Sequence, residues 1–132
     1  SSVLYSKIRP YLRKVHLPKF NGICSADIYP LVPINEKLTR EFLFYLLLSN
    51  HFTNYAIAGS ARAGMPKVNR NHLFAYQLSL PRLSLQREFS NRMEKILRQT
   101  RNLTDLYQGQ INELKNLKTA ILVQELQPNE AA

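Results

Sequence analysis

The chain is 132 residues long, with a formal net charge of +9 and an apolar fraction of 45%. That length allows about one domain, and the apolar fraction excludes disorder throughout. A single cysteine, Cys24, excludes an internal disulfide or a thiolate metal cluster and fits a reducing, cytoplasmic setting. The charge is uneven: Ser1 to Arg82 hold eleven Lys or Arg against three acids (Asp27, Glu36, Glu41), giving +8, whereas Leu83 to Ala132 hold seven against six, giving +1. The first part therefore has the electrostatic footprint of a polyanion binder, and the second the balance of a solvated helix face.

In chain order, Val3 to Ile8 is predicted as a short strand, interrupted at Arg9-Pro10 because proline cannot donate to a ladder. Tyr11 to Leu17 resumes in mixed apolar and basic character, and Pro18 with Asn21-Gly22 marks a turn. A further strand is expected over Ile23 to Val32. Asn35 or Thr39 can cap a helix from about Thr39 to Phe52, with Glu36 or Glu41 near the positive end of its dipole. Its run Phe42 to Leu48 is apolar on nearly every side and should be buried; at seven residues it is far short of the roughly 20 needed to cross a bilayer. Gly59 and Gly64 open a flexible loop carrying Arg62, and Leu73 to Leu80 reads as a last strand ended by Pro81.

From Ser84 the pattern changes. Stepping by seven from Met93 gives Thr100, Tyr107, Leu114 and Ile121, and from Ile96 gives Leu103, Gln110, Leu117 and Gln124. These two rows make an apolar seam, broadened by Leu97, Leu106 and Ile111, with the glutamines placed to set register and Gly109 as a weak point. A helix over Ser84–Leu126 would extend roughly 60 Å at about 1.5 Å per residue, so part of it is expected to pair with a helix of another domain or another copy. The competing expectation is a helix folded wholly onto its own domain. The fold class expected is α+β: a small irregular sheet or partial barrel with a buried helix over residues 1–81, a long C-terminal coiled-coil helix over 84–126, and a tail over 127–132.

The chemical motifs argue mainly by absence. Gly59-Ser-Ala-Arg-Ala-Gly64 matches the opening of a phosphate-binding loop, but Met65-Pro66 stands where Lys and Ser or Thr must follow. His16, His51 and His72 lack metal-ligand spacing, and Cys24 is expected to be a packed thiol. The acids before Arg82 show no paired spacing, so no catalytic residues and no metal ligands are nominated. Nucleic-acid binding has positive support. Lys7, Arg9, Arg13, Lys14 and Lys19 lie close together without an intervening acid, interleaved with Tyr5, Tyr11 and Phe20. Arg62, Lys67 and Arg70, with Asn69, lie on the glycine-flexed loop, where Arg suits guanine edges and Asn adenine. Lys7, Arg9, Arg13, Lys14, Arg62, Lys67, Asn69 and Arg70 are the candidate DNA contacts; Ile96, Leu103, Tyr107, Leu114, Leu117 and Ile121 are the candidate helix interface. A helical scaffolding protein with an idle basic domain is the alternative reading.

Four segments carry a resemblance: Val3 to Lys14 (VLYSKIRPYLRK), Asn21 to Ile28 (NGICSADI), Gly64 to Asn69 (GMPKVN), and Leu80-Pro81-Arg82-Leu83 with Gln86-Arg87. Together, and in this order, they are similar to the specificity subunit of type I restriction-modification systems, covering the later part of one target-recognition domain and the conserved helix after it. The resemblance implies a non-catalytic subunit that reads one half of a two-part target in double-stranded DNA, with an antiparallel helix pair setting the distance between half-sites. It also implies docking to modification (methyltransferase) subunits and a restriction subunit, which would hold S-adenosylmethionine, ATP and Mg, so that this chain holds no cofactor. A full subunit of the family has two such domains; a half-subunit that self-associates and a shortened gene product are both compatible with the extent of this chain.

Overall fold

The computed structural model describes residues 2–34, 36–60 and 64–126. Arg62, the alternative cap Asn35 and the tail expected over 127–132 lie outside the described residues. The chain divides into two compact units, one ending at Asn91 and one beginning at Arg92.

The first unit is built on a three-stranded antiparallel sheet in the order β2-β1-β3, formed by β1 (Val3–Ser6), β2 (Val15–His16) and β3 (Ile28–Leu31). Tyr5 stands opposite Val15 on one side and Tyr29 on the other. Strand alternation sends Val3 and Tyr5 into the core, leaving Leu4 and Ser6 on the outer face. The first strand is shorter than its apolar pattern because the backbone turns at Arg9-Pro10, as the proline requires, into a 3-10 turn over Pro10–Leu12. Ile8 is retained as an isolated bridge to Lys67. The strand expected over Ile23 to Val32 begins only at Ile28. A turn precedes it, in which the Asp27 amide donates to Ser25 Oγ (3.2 Å) and the Ile28 amide to the Ser25 carbonyl (3.0 Å).

The helix expected over Thr39 to Phe52 is two helices, α1 (Arg40–Leu48) and α2 (Asn50–Ala58). Thr39 caps α1, its hydroxyl accepting from the Phe42 amide (3.2 Å). Ser49 makes the break: its extended backbone ends α1, while its Oγ accepts from the Phe52 amide (3.2 Å) and starts α2. A serine cap competed successfully with an unbroken apolar run. The expected burial of that run also needs correction, since Leu47 alone is fully buried and Phe42 to Leu46 and Leu48 are half-buried. The core comprises Val3, Tyr5, Leu47, Phe52, Ala56, Val68 and Leu73, with the Tyr5 and Phe52 rings edge to face at 5.4 Å.

The strand expected over Leu73 to Leu80 is absent. Asn69 caps a short helix instead, α3 (Arg70–Phe74), by accepting from the His72 amide (2.7 Å), and irregular chain follows to Pro81. The His72 ring stacks on Tyr55 at 4.1 Å and its Nε2 donates to the Tyr55 carbonyl (2.8 Å). Gly59 ends α2 against this ring, and a Cβ there would overlap it. Gly59 is glycine because a larger side chain would overlap this ring; residues 61–63 of the loop expected after it lie outside the described residues.

The last helix, α4 (Leu83–Leu126), is continuous for 44 residues, through Gly109. Its first turns belong to the first unit, where Gln86 is completely buried. Gln86 Oε1 accepts from the Thr39 amide (2.9 Å), and its Nε2 donates to the carbonyls of Lys37 (2.8 Å) and Pro81 (2.7 Å). One side chain thus ties the start of α1 to the start of α4. Phe89 adds edge contacts to Phe42 (5.7 Å) and Tyr45 (5.9 Å). A small antiparallel sheet with helices and a long C-terminal helix is the α+β class the sequence led us to expect.

Candidate nucleic-acid interface

The basic residues near the start of the chain meet the segment around Lys67 through backbone bonds. The Arg9 amide donates to the Pro66 carbonyl (2.9 Å) and the Val68 amide to the Lys7 carbonyl (2.8 Å). Lys7, Arg9 and Lys67 are thereby brought together. Gly64, with φ of 129°, adopts the left-handed half of backbone space that glycine alone visits freely and redirects the chain into this pairing.

Asp27 stands between two of these cations, 3.6 Å from Lys7 Nζ and 3.3 Å from Lys67 Nζ. The hydrogen bond from Lys67 is the main reason its carboxyl is held below the usual carboxylate range, with the charges of Lys67 and Lys7 acting in the same sense. Lys7 is further engaged: its ammonium donates to the Ala26 carbonyl and lies 5.3 Å from the Tyr29 ring centre. Lys7 and Lys67 therefore fasten the segment before β3, and the one that pairs with Ile8, to the end of β1.

The remaining candidates occupy different settings. Arg9 and Arg13 bracket the 3-10 turn and are exposed, as is Lys14 after them. Arg13 Nη2 donates to Asn50 Oδ1 (2.7 Å), whereas among the described residues the side chains of Arg9 and Lys14 have no charged or hydrogen-bonding partner. Arg70 holds its guanidinium 5.5 Å from the Phe74 ring centre. Asn69 is exposed, but its Oδ1 already accepts the capping bond from His72, so a base edge would have to share that oxygen. Of the interleaved aromatics, Tyr5 is a core residue, while Tyr11 and Phe20 are exposed.

Cys24 is exposed, contrary to the packed thiol expected. Among the described residues no group of three or more His, Cys, Asp or Glu is arranged to hold a metal ion, and no helix is long and apolar enough to cross a membrane. His51 Nδ1 lies 2.6 Å from the Tyr76 hydroxyl.

The second unit presents the seam openly. Every residue from Glu94 to Leu126 is exposed, and the six interface candidates range from 44% exposed at Ile96 to 65% at Leu114. Thr100, Thr104 and Thr119 satisfy their hydroxyls on carbonyls one turn back, each at 3.0 Å, which keeps them compatible with a helix. An apolar row of this length at heptad spacing is consistent with a coiled coil.

Gln86 is the residue that reading the sequence undervalued. It appeared only as part of a similar segment, and its signal was faint: one uncharged polar residue on the apolar side of an amphipathic helix start.

The chain, a basic α+β unit followed by a long seam-bearing helix, belongs to the family of the type I restriction modification DNA specificity domain, whose model matches residues 2–116. It is similar to the type I restriction enzyme EcoDI specificity subunit of Escherichia coli, 37% identical over 120 residues that make up 91% of this chain and 26% of that protein. The chain thus spans about a quarter of the length of that relative.

Proposed function

We propose that this chain is the part of a type I specificity subunit that grips one half of a bipartite DNA target with its first unit and pairs through the exposed seam of α4 with a second helix. In this reading the chain is not an enzyme. Modification subunits, which methylate an adenine with S-adenosylmethionine, and a restriction subunit that uses ATP and Mg assemble on it in the cytoplasm and do the chemistry. Base flipping and methyl transfer need a donor-binding site, for which the sequence offers no glycine motif. The carrying observation is the match to the specificity family along most of the chain. The surplus of cations before Arg82 and the open apolar row after Glu94 support the division of work.

The test is a titration of the full chain with duplex DNA, with the modification subunit present, across a salt series. Affinity should fall with salt on a log-log slope of about 0.9 per neutralised phosphate. Salt-independent binding, or none at low ionic strength, would refute the proposal and leave a helical scaffold as the reading.

A further inference from the structure

The seven candidate cations and polar groups among the described residues of the first unit are not equivalent, and the geometry sorts them. Lys7 and Lys67 share Asp27 and hold chain segments together. Arg70 is drawn over Phe74 and Asn69 caps α3. What remains is the sequence Arg9-Pro-Tyr-Leu-Arg-Lys14, an exposed turn with three cations in six residues and no acid.

This turn has a costly backbone. Arg9 (φ 51°, ψ 64°) and Arg13 (φ 48°, ψ 44°) both adopt the left-handed helical conformation, and among the described residues they are the sole non-glycine residues with positive φ. Glycine or asparagine would occupy such positions more easily than arginine. Strained residues of this kind persist where the surroundings hold them, and they gather at ligand-gripping sites. Here the holding contacts are the Arg9 amide on Pro66, the Leu12 and Arg13 amides on Arg9 and Pro10 within the turn, and the Arg13 guanidinium on Asn50. Among the described residues nothing neutralises the side chain of Arg9 or Lys14. The turn is thus rigid, cationic and open at once, and half-exposed Tyr11 at its tip can add a hydroxyl.

We infer that the turn from Arg9 to Lys14 is a preformed clamp for the phosphate backbone of duplex DNA, with Arg9 and Arg13 as its principal contacts and the Lys7–Asp27–Lys67 cluster as the clasp that positions it. The inference rests on the proposed function and names the part of the first unit that touches the phosphates. A bidentate guanidinium suits a phosphate better than a lysine ammonium, consistent with arginine at the two strained positions.

The experiment measures affinity of the full chain, with the modification subunit present, for a duplex of arbitrary sequence between about 50 and about 200 mM salt, where binding is dominated by phosphate contacts. The variants are Arg9→Asn with Arg13→Asn, the charge-preserving Arg9→Lys with Arg13→Lys, and Lys115→Gln with Lys118→Gln as a charge-matched change on the second unit. At about 0.9 per phosphate, losing two contacts lowers the slope by about 1.8, so the unaltered chain loses about 12-fold more affinity across that fourfold salt range than the double asparagine variant does. The lysine pair should keep the slope, and so should the helix pair. Asparagine tolerates the left-handed backbone, so the Arg9→Asn variant should melt no lower than the unaltered chain while losing about half of the effect. Lys67→Gln should lower the melting midpoint by loosening the clasp and retain most of the slope. An unchanged slope in the folded asparagine variants overturns the inference while DNA binding by the chain stands. No salt-dependent binding by the unaltered chain overturns the proposed function itself, and the inference with it.

Discussion

Replacing Gln86 with methionine removes the side chain that joins α1 to α4 while nearly preserving its volume. The change leaves the Thr39 amide and the Pro81 carbonyl beneath the helix without their partner, whereas the Lys37 carbonyl, on an exposed residue, recovers water. A buried group losing its hydrogen bond costs about 1 to 3 kcal/mol, so two such groups cost about 2 to 6 kcal/mol, against the roughly 5 to 15 kcal/mol that holds a domain together. At about 4 to 8 °C per kcal/mol, the melting midpoint of the first unit should fall by about 10 °C or more. Near-ultraviolet circular dichroism is the appropriate signal, because the 44 residues of α4 dominate the far-ultraviolet helix band. Gln86→Glu extends the test. Its second oxygen would face two carbonyls when ionised and donate to one when protonated, so its carboxyl pKa rises on folding. The variant should therefore be least stable above that folded-state pKa and regain stability as pH falls through it. A loss below about 1 kcal/mol in Gln86→Met would refute the anchoring role.

Gly59→Ala should destabilise the first unit by about 1 to 3 kcal/mol in chemical denaturation, because the new methyl meets a His72 ring already fixed by its stack on Tyr55 and its bond to the Tyr55 carbonyl. Tyr5→Phe should raise stability by about 1 kcal/mol, since among the described residues the buried Tyr5 hydroxyl has no hydrogen-bond partner, while its ring contact to Phe52 is retained. Burial pushes the Tyr5 phenol up to about 12, so the folded state resists an ionisation that the unfolded chain undergoes near 10. Stability of the unaltered chain should fall as pH rises from about 10 to about 12, less so in Tyr5→Phe, as alkaline melts would show. Leu103→Glu with Leu114→Glu should abolish self-association or docking by light scattering, because pairing would bury two unpaired charges; unchanged assembly mass, alone and with the modification subunit, would count against the seam.

The long helix was legible because its signal is periodic and local: two rows of apolar residues at heptad spacing, uninterrupted by proline, outweigh a single glycine at 109. The sheet was partly legible, with β1 set by alternation at Val3 and Tyr5 and its end set by Arg9-Pro10. Two errors shared one cause, the strength of small polar caps. Ser49 divided an apolar run that pattern alone joined, and Asn69 started a helix where Leu73 to Leu80 resembled a strand. The cations could be counted from the sequence, but their division between clasp and exposed turn could not. That division depends on where Asp27 falls, and on two arginine backbones whose left-handed conformation composition does not reveal.

Hydrogen exchange of the full chain, followed separately on adding duplex DNA and on adding the modification subunit, addresses the proposed separation of tasks. Duplex should slow exchange at the amides around Arg9 to Lys14 and leave Ile96 to Ile121 unchanged, while the modification subunit should slow exchange along that seam. Duplex protection confined to the seam, with the turn unaffected, would contradict the assignment of DNA to the first unit.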